Sequence, residues 1–199
     1  MKILVADLEG VFLPEIWINV AQKTGIEELK LTTRDISDYD VLMKRRLTIL
    51  DENNLTLKDI QDVIATLEPL EGARQMLDWI RERTQIIILS DTFEEFAGPL
   101  MAKLGYPALL CHSLTIDETG RISDYNLRID NQKTRAVKAL QSLNYHVIAF
   151  GDSYNDTGMI QAADQGFFFK PPASIETDFP GIPITQSYEE LKSMISGLL

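Results

Sequence analysis

Three short apolar runs along the chain each stop at an acidic or small polar residue. The runs and the polar residues that follow them are 3–6 with Asp7, 86–89 with Ser90, and 147–150 with Gly151 and Asp152. Continuous apolar runs of this length are typical of parallel strands that are covered on both faces. The pattern therefore predicts buried strands that deliver polar side chains at their carboxyl ends.

Helical spacing of apolar residues dominates the segment between the first two runs. Pro14 and Gly25 bracket a first helix, residues 38–54 form a second, and a capping box at Thr56 starts a third. No strand pattern interrupts residues 14–68. We therefore expect this segment to be a helical cap inserted after the first strand.

From Pro69 onward, predicted helices alternate with predicted strands. Residues 111–129 read as a hairpin, and the last helix starts with a capping box at Ser187. Alternation of this kind predicts an α/β fold with a parallel sheet and right-handed crossovers. The expected catalytic core comprises residues 1–13 and 69–199.

Composition narrows the functional classes. The chain of 199 residues carries a formal net charge of −11, which disfavours nucleic acid and anionic membranes as partners. Its single cysteine, Cys111, excludes an internal disulfide and a cysteine-based metal cluster. The apolar N-terminal run is too short for a signal peptide and no stretch approaches a membrane span, so a cytoplasmic location is expected. A homodimer built on exposed apolar surface is left open.

The three strand ends are expected to meet. Carboxyl ends of parallel strands share one edge of the sheet, so Asp7, Ser90 and Asp152 should face one crevice. Two carboxylates approach each other only with positive charge between them, and oxygen ligands of this kind suit Mg²⁺. The alternatives are that Asp152 is a turn residue and that Asp156 caps the next helix. A hydroxyl at Ser90 and an ammonium at Lys133 would suit a phosphate group.

This set of residues suits covalent phosphoryl transfer. Asp7 would attack phosphorus and form an aspartyl-phosphate, with Mg²⁺ and Lys133 neutralising the repulsion between the two anions. A protonated Glu9 would donate to the leaving alkoxide and then take a proton from the attacking water or alcohol.

The motifs that carry this chemistry resemble those of a known family. In order, they are Asp7-Leu-Glu-Gly-Val, Ser90-Asp-Thr, Lys133 and Gly151-Asp-Ser-Tyr-Asn-Asp156. They resemble the four motifs of the haloacid dehalogenase-like phosphatases, whose first motif is usually Asp-x-Asp, whereas Glu9 holds the second place here. Pro14-Glu-Ile-Trp and Thr32-Thr-Arg-Asp-Ile are similar to the phosphoserine phosphatase branch, in particular to its bifunctional members that also transfer phosphate to homoserine.

The resemblance implies a Rossmann-like core, a Mg²⁺ cofactor, and O-phosphoserine and homoserine as substrates. It also implies roles for individual residues. The nucleophile is Asp7 and the acid/base Glu9; the metal ligands are Asp7, the backbone carbonyl of Glu9 and Asp152, with Asp156 behind them. The substrate-binding residues are Ser90, Asp91, Lys133 and Asn155 near the phosphate, and Glu15 and Arg46 for the ammonium and carboxylate. The preference for Arg46 over Arg45 comes from the family pattern.

Other functions remain open at this point. One is a phosphatase of the same family that acts on a sugar phosphate or a nucleotide. Another is a signalling receiver module, which also places a phospho-acceptor aspartate at a strand end. A receiver has no helical insert after its first strand, so residues 14–68 and the late Asp152 argue against it. A binding module with an inactive site fits poorly with the complete set of polar residues.

Overall fold

The predicted sheet is present in the computed structural model, which describes residues 1–32, 35–36 and 38–199. Its strands are β1 Lys2–Ala6, β2 Gln85–Phe93, β3 Ala108–Ile116, β4 Ile122–Asn126, β5 His146–Gly151, β6 Gln165–Phe169 and β7 Ile184–Thr185. Their order in the sheet is β4-β3-β2-β1-β5-β6-β7, and every neighbouring pair is parallel except β3 with β4. The predicted α/β class with a Rossmann-like parallel sheet is confirmed, with β1 at its centre.

Helices follow most of the strands. They are α1 Ile16–Thr24, α2 Tyr39–Glu52, α3 Leu57–Ala65, α4 Ala73–Arg81, α5 Glu94–Lys103, α6 Gln132–Ser142, α7 Thr157–Ala162, α8 Ala173–Asp178 and α9 Tyr188–Leu198, with 3₁₀ turns at Glu27–Lys30 and Tyr154–Asp156. No sequence pattern predicted the short helix α8. Among the described helices, none is both long and apolar enough to span a bilayer.

The central strand is buried on both faces, which explains its unbroken apolar run. Leu4 and Ala6 belong to the larger core cluster, which also contains residues of α4 and α9. Ile3 and Val5 point to the opposite side and belong to a second cluster with residues of α6 and α7. Because successive side chains of a strand alternate between faces, the buried positions of β1 from Ile3 to Ala6 must all be apolar, and the run ends at Asp7.

The described part of residues 14–68 contains α1, α2, α3 and one 3₁₀ turn. Thr56 accepts from the backbone of Asp59 and the Asp59 carboxylate accepts from Thr56, so the predicted capping box is confirmed. From α2, the Tyr39 hydroxyl donates to the backbone oxygen of Asp91 over 3.2 Å, which places the start of this helix over the end of β2. Treating the segment as a separate cap stays a prediction. Thr33 and Arg34 of the Thr-Thr-Arg-Asp-Ile motif, and Ser37, lie outside the described residues.

The predicted hairpin is confirmed by the antiparallel pairing of β3 with β4. β3 begins earlier, at Ala108, and also pairs in parallel with β2, which joins the hairpin to the main sheet. The capping box predicted for the last helix needs correction. At the start of α9, Ser187 accepts from the Glu190 backbone, but the Glu190 carboxylate accepts from the backbone of Gln186 instead of completing the box.

Candidate active site

A cavity of about 330 Å³ lies at the carboxyl ends of β1 and β2. It collects all the side chains that the sequence assigned to catalysis or substrate binding: Asp7, Glu9, Glu15, Arg46, Ser90, Asp91, Lys133 and Asn155. The cavity floor comes from the sheet and from α6, whereas Arg46, Tyr39 and Leu42 reach it from α2. The topology explains the convergence, because β2 and β5 are the two neighbours of β1.

Lys133 is the positive centre of the floor. It is buried, and its Nζ lies 2.9 Å from Asp7 Oδ1, 2.8 Å from Asp156 Oδ1 and 3.8 Å from Asp91 Oδ2. Burial disfavours the ammonium, yet Asp156, Asp7 and Asp91 together hold the pKa of Lys133 well above its usual range. A buried lysine with these neighbours stays charged and holds the acids together.

The acidic side chains of the floor outnumber the cationic groups beside them. Carboxylate oxygens of Asp7, Asp152 and Asp156 all lie within 4.8 Å of one another. Burial and the charge of Asp156 raise the pKa of Asp7 well above its ordinary value, against the attraction of Lys133. The same two causes raise the pKa of Asp152 to about 7. Three carboxylates with one ammonium suit an additional cation, and the donor set consists of oxygen atoms.

Gly10 allows Asp152 to reach this cluster. A Cβ at Gly10 would overlap the Asp152 carboxylate, and the φ angle of Gly10 is +73°. That conformation is one that glycine adopts at little cost. The first-motif loop therefore needs glycine both for its turn and for the close approach of Asp152.

The Asp156 side chain supports the floor and does not cap α7. It stands at the N-cap position of that helix, but its side chain makes no cap hydrogen bond there. Its Oδ2 instead accepts from the backbone nitrogens of Asp152 and Ser153, both over 3.0 Å, and its Oδ1 accepts from Lys133. A Cβ at Gly151 would overlap Asp156, so this glycine also leaves space for an acid. The alternative is therefore confirmed for the N-cap position of Asp156, but its side chain makes a capping box with Ser153 at the preceding 3₁₀ turn and no cap hydrogen bond to α7.

Glu9 is held by a different part of the chain from the other acids. Its Oε2 accepts from the backbone nitrogen of Ile16 over 2.8 Å, which ties it to the start of α1. Burial, together with the charge of Glu15, raises the pKa of Glu9 to about 8. The carboxyl group is thus mostly protonated at neutral pH, as a general acid must be.

Ser90 and Asp91 occupy the end of β2. The Ser90 hydroxyl is buried and accepts from the backbone nitrogen of Thr92 over 3.2 Å, so its own proton is available to a ligand. Burial opposes the charge of Asp91, but Lys133 and then His112 hold the pKa of this carboxyl below its usual range.

Arg46 lies on the α2 side of the cavity, and its neighbour Arg45 is exposed on the other side of the helix. Arg46 is 7% exposed; its Nη2 donates to the backbone oxygen of Leu31 over 2.8 Å. Its Nε lacks a hydrogen-bond partner, and among the described residues no other buried side-chain nitrogen or oxygen does. Burial lowers the pKa of Arg46 to about 10, so the guanidinium remains charged at neutral pH. Glu15 stands exposed on the rim of the same cavity.

Sequence reasoning missed two buried polar residues beneath Asp91. The side-chain nitrogen of Gln132 donates to the backbone oxygen of Ser90 over 2.6 Å and to Asp91 Oδ1 over 3.1 Å. His112 accepts at Nδ1 from the backbone nitrogen of Arg128, so its Nε2 carries the proton 3.5 Å from Asp91. Neither residue belongs to a motif, and only the position of Gln132 next to Lys133 hinted at a role.

A second cavity of about 590 Å³ adjoins the first. The two cavities share Tyr39, Asp91, Lys133, Tyr154 and Asn155. Both cavities therefore open onto Asp91 and Lys133 of the floor.

Comparison with known proteins decides the family. The family model for haloacid dehalogenase-like hydrolases matches residues 1–164. This chain belongs to that family. It is 58% identical over 192 residues to phosphoserine phosphatase ThrH of Pseudomonas aeruginosa, with 96% of this chain and 94% of that protein covered. A phosphoserine phosphatase of Pseudomonas syringae pv. tomato is 57% identical, with 96% and 81% covered. Family membership argues against the receiver-module alternative.

Solved structures share the fold. A phosphoserine phosphatase from T. onnurineus superimposes with a TM-score of 0.76 at 22% identity, covering 98% of this chain and 94% of that one. A phospho-aspartyl intermediate analogue of a phosphoserine phosphatase gives a TM-score of 0.77 at 18% identity, covering 97% and 98%.

The role of Gly10 can be tested against a matched glycine. Gly25 has a φ angle of +76°, but a Cβ there would meet no described atom within 4 Å. Gly10→Ala and Gly25→Ala should therefore each lose about 1 kcal/mol of stability through backbone strain. Only Gly10→Ala also displaces Asp152, so it alone should lose roughly 10²-fold in turnover of an aryl phosphate. Urea denaturation and initial rates measure the two effects. Equal activity losses in the two variants would contradict the close-approach account.

Proposed function

We propose that this chain is a Mg²⁺-dependent phosphoserine phosphatase that works through an aspartyl-phosphate on Asp7 and can also transfer the phosphoryl group to homoserine. Relatives at 57% and 58% identity are named phosphoserine phosphatases, which supports the substrate. The observation that carries the proposal is the composition of one cavity. Its floor holds Asp7 against Lys133, and its other wall holds the buried Arg46 with an unpartnered Nε.

The acidic cluster fits a magnesium ion. Asp7, Asp152 and the backbone carbonyl of Glu9 are the proposed ligands, and Asp156 positions them because its own oxygens already accept from Lys133, Asp152 and Ser153. When bound, Mg²⁺ would neutralise the excess negative charge and stabilise charge on the phosphoryl oxygens. This charge compensation is what the three crowded carboxylates lack.

The first half of the reaction transfers the phosphoryl group to the protein. Oδ1 of Asp7 already accepts from the backbone nitrogen of Leu8 and from Lys133, which fixes the direction of the carboxylate. A carboxylate oxygen of Asp7 forms a bond to phosphorus as the bond from phosphorus to the serine oxygen breaks. Glu9 gives its proton to that departing oxygen, while Lys133 and the Ser90 hydroxyl hold the phosphoryl oxygens.

The second half frees Asp7. Glu9, now ionised, takes a proton from an attacking water, whose oxygen forms a bond to phosphorus as the bond to Asp7 breaks. With homoserine present, its hydroxyl takes the place of the water and the product is a phosphate ester. The same acid/base and the same nucleophile serve both outcomes, so acceptor choice depends on which hydroxyl occupies the position beside Glu9.

Substrate recognition comes from the α1 and α2 side of the cavity. A guanidinium with free donors suits the carboxylate of an amino acid, and the Glu15 carboxylate on the rim suits its ammonium. The distribution of charge therefore matches phosphoserine end to end: phosphate at Lys133, carboxylate at Arg46 and ammonium at Glu15.

The covalent step is tested with Asp7→Asn. Wild-type enzyme with Mg²⁺ and phosphoserine should release phosphate, and addition of homoserine should yield phosphohomoserine. The amide cannot form the intermediate, so the variant should lose at least about 10³-fold in both activities. Phosphate release by the variant at a rate close to wild type would overturn the aspartyl-phosphate mechanism. Phosphate release without phosphohomoserine in the wild type would overturn only the transfer activity.

Substrate recognition is tested with a pair of neighbouring arginines. Arg46→Ala removes a charged hydrogen-bond donor, so kcat/KM for phosphoserine should fall about 10- to 100-fold more than kcat/KM for an aryl phosphate without a carboxylate. Arg45→Ala removes the same charge from the exposed face and should change both values by less than about twofold. A substrate-independent loss in Arg46→Ala would favour another phosphomonoester as the natural substrate.

A further inference from the structure

Trp17 contacts Arg46 on the wall of the cavity. The guanidinium carbon of Arg46 lies 4.6 Å from the centroid of the Trp17 ring, and both side chains line the cavity. Trp17 belongs to α1 and Arg46 to α2, so the contact joins two helices. In the sequence, Trp17 belongs to the Pro14-Glu-Ile-Trp segment that resembles the family, and no role was predicted for it.

The tryptophan is held from the other side by the core. Its ring packs edge-on against Phe96 of α5, with the ring centroids 5.7 Å apart. Phe96 in turn packs edge-on against Phe93, with centroids 5.5 Å apart, at the end of the strand that carries Ser90. A chain of aromatic rings therefore extends from the phosphate-binding strand to the arginine.

Few other contacts direct the guanidinium of Arg46. It donates to the backbone oxygen of Leu31 and approaches the sulfur of Met43 at 3.7 Å. The Glu15 carboxylate on the cavity rim acts on it through space. A cation over an indole face is attracted more strongly in a desolvated site than at an exposed one, and Arg46 is buried, so the Trp17 ring contributes substantially to its orientation.

We propose that Trp17 is a positioning residue that aims Arg46 into the cavity and thereby sets selectivity for phosphomonoesters that carry a carboxylate. This inference rests on the proposed function, in which Arg46 binds the carboxylate of the substrate. The ring acts through Arg46 and accepts no hydrogen bond from it, so Nε remains without a partner.

The test compares Trp17→Leu and Trp17→Phe in the full chain, with phosphoserine and an aryl phosphate as substrates. Trp17→Leu should lower kcat/KM for phosphoserine roughly tenfold more than for the aryl phosphate, mainly through KM. Trp17→Phe keeps an aromatic face of weaker attraction, so its selective loss should be smaller, about threefold. In an Arg46→Ala background, Trp17→Leu should add no further selective loss, because the two residues act as one unit.

The outcomes separate the inference from the proposed function. If Arg46→Ala is selective but both Trp17 variants lower the two activities equally, the positioning role is overturned and the function stands. A further selective loss from Trp17→Leu in the Arg46→Ala background also overturns the role. If Arg46→Ala itself shows no selectivity, the carboxylate recognition in the proposed function fails, and the inference fails with it. Trp17→Phe decides the question if Trp17→Leu does not fold.

Discussion

A buried lysine among crowded carboxylates is the interaction on which the site depends. Lys133 contacts Asp7 and Asp156 at once, and Asp156 in turn holds the loop that carries Asp152. These residues come from the ends of different elements, and only the parallel arrangement of β1, β2 and β5 brings them together. The fold therefore brings together acids that would repel one another without the lysine.

Opposite electrostatic conditions meet in one cavity. The floor carries excess negative charge that suits a cation and, through it, a phosphate. Towards α1 and α2, burial keeps Glu9 largely protonated and leaves the guanidinium of Arg46 charged with an unpartnered nitrogen. The proposed nucleophile and the proposed acid/base, only two residues apart, thus have different neighbours: Asp156 and Lys133 at Asp7, and Glu15 and the Ile16 backbone at Glu9.

Sequence patterns predicted the parts of the structure that depend on local rules. Buried parallel strands must be apolar until they end, so the sequence alone predicts Asp7, Ser90 and Asp152 at one edge of the sheet. The direction in which a side chain points depends on tertiary contacts, so sequence patterns predict it less well. Arg46 and Arg45 are chemically identical, so only the family resemblance separated them in the sequence, whereas helix packing in the structure buries Arg46 and exposes Arg45. The same limit applies to Asp156, whose carboxylate turns back to Lys133, and to His112, which no motif marked.

The central claim is that the acidic floor requires a divalent cation, and thermal unfolding in a Mg²⁺ titration tests it most directly. A ligand that binds only the folded state raises Tm with its concentration. The account predicts that Mg²⁺ raises the Tm of the wild type, that a chelator reverses the rise, and that Asp152→Asn loses most of the response. Because this variant also removes a repelling charge, its Tm without metal should equal or exceed that of the wild type. A wild-type Tm that does not change with Mg²⁺ concentration would contradict the account, and so would an equal rise of Tm in the wild type and in Asp152→Asn.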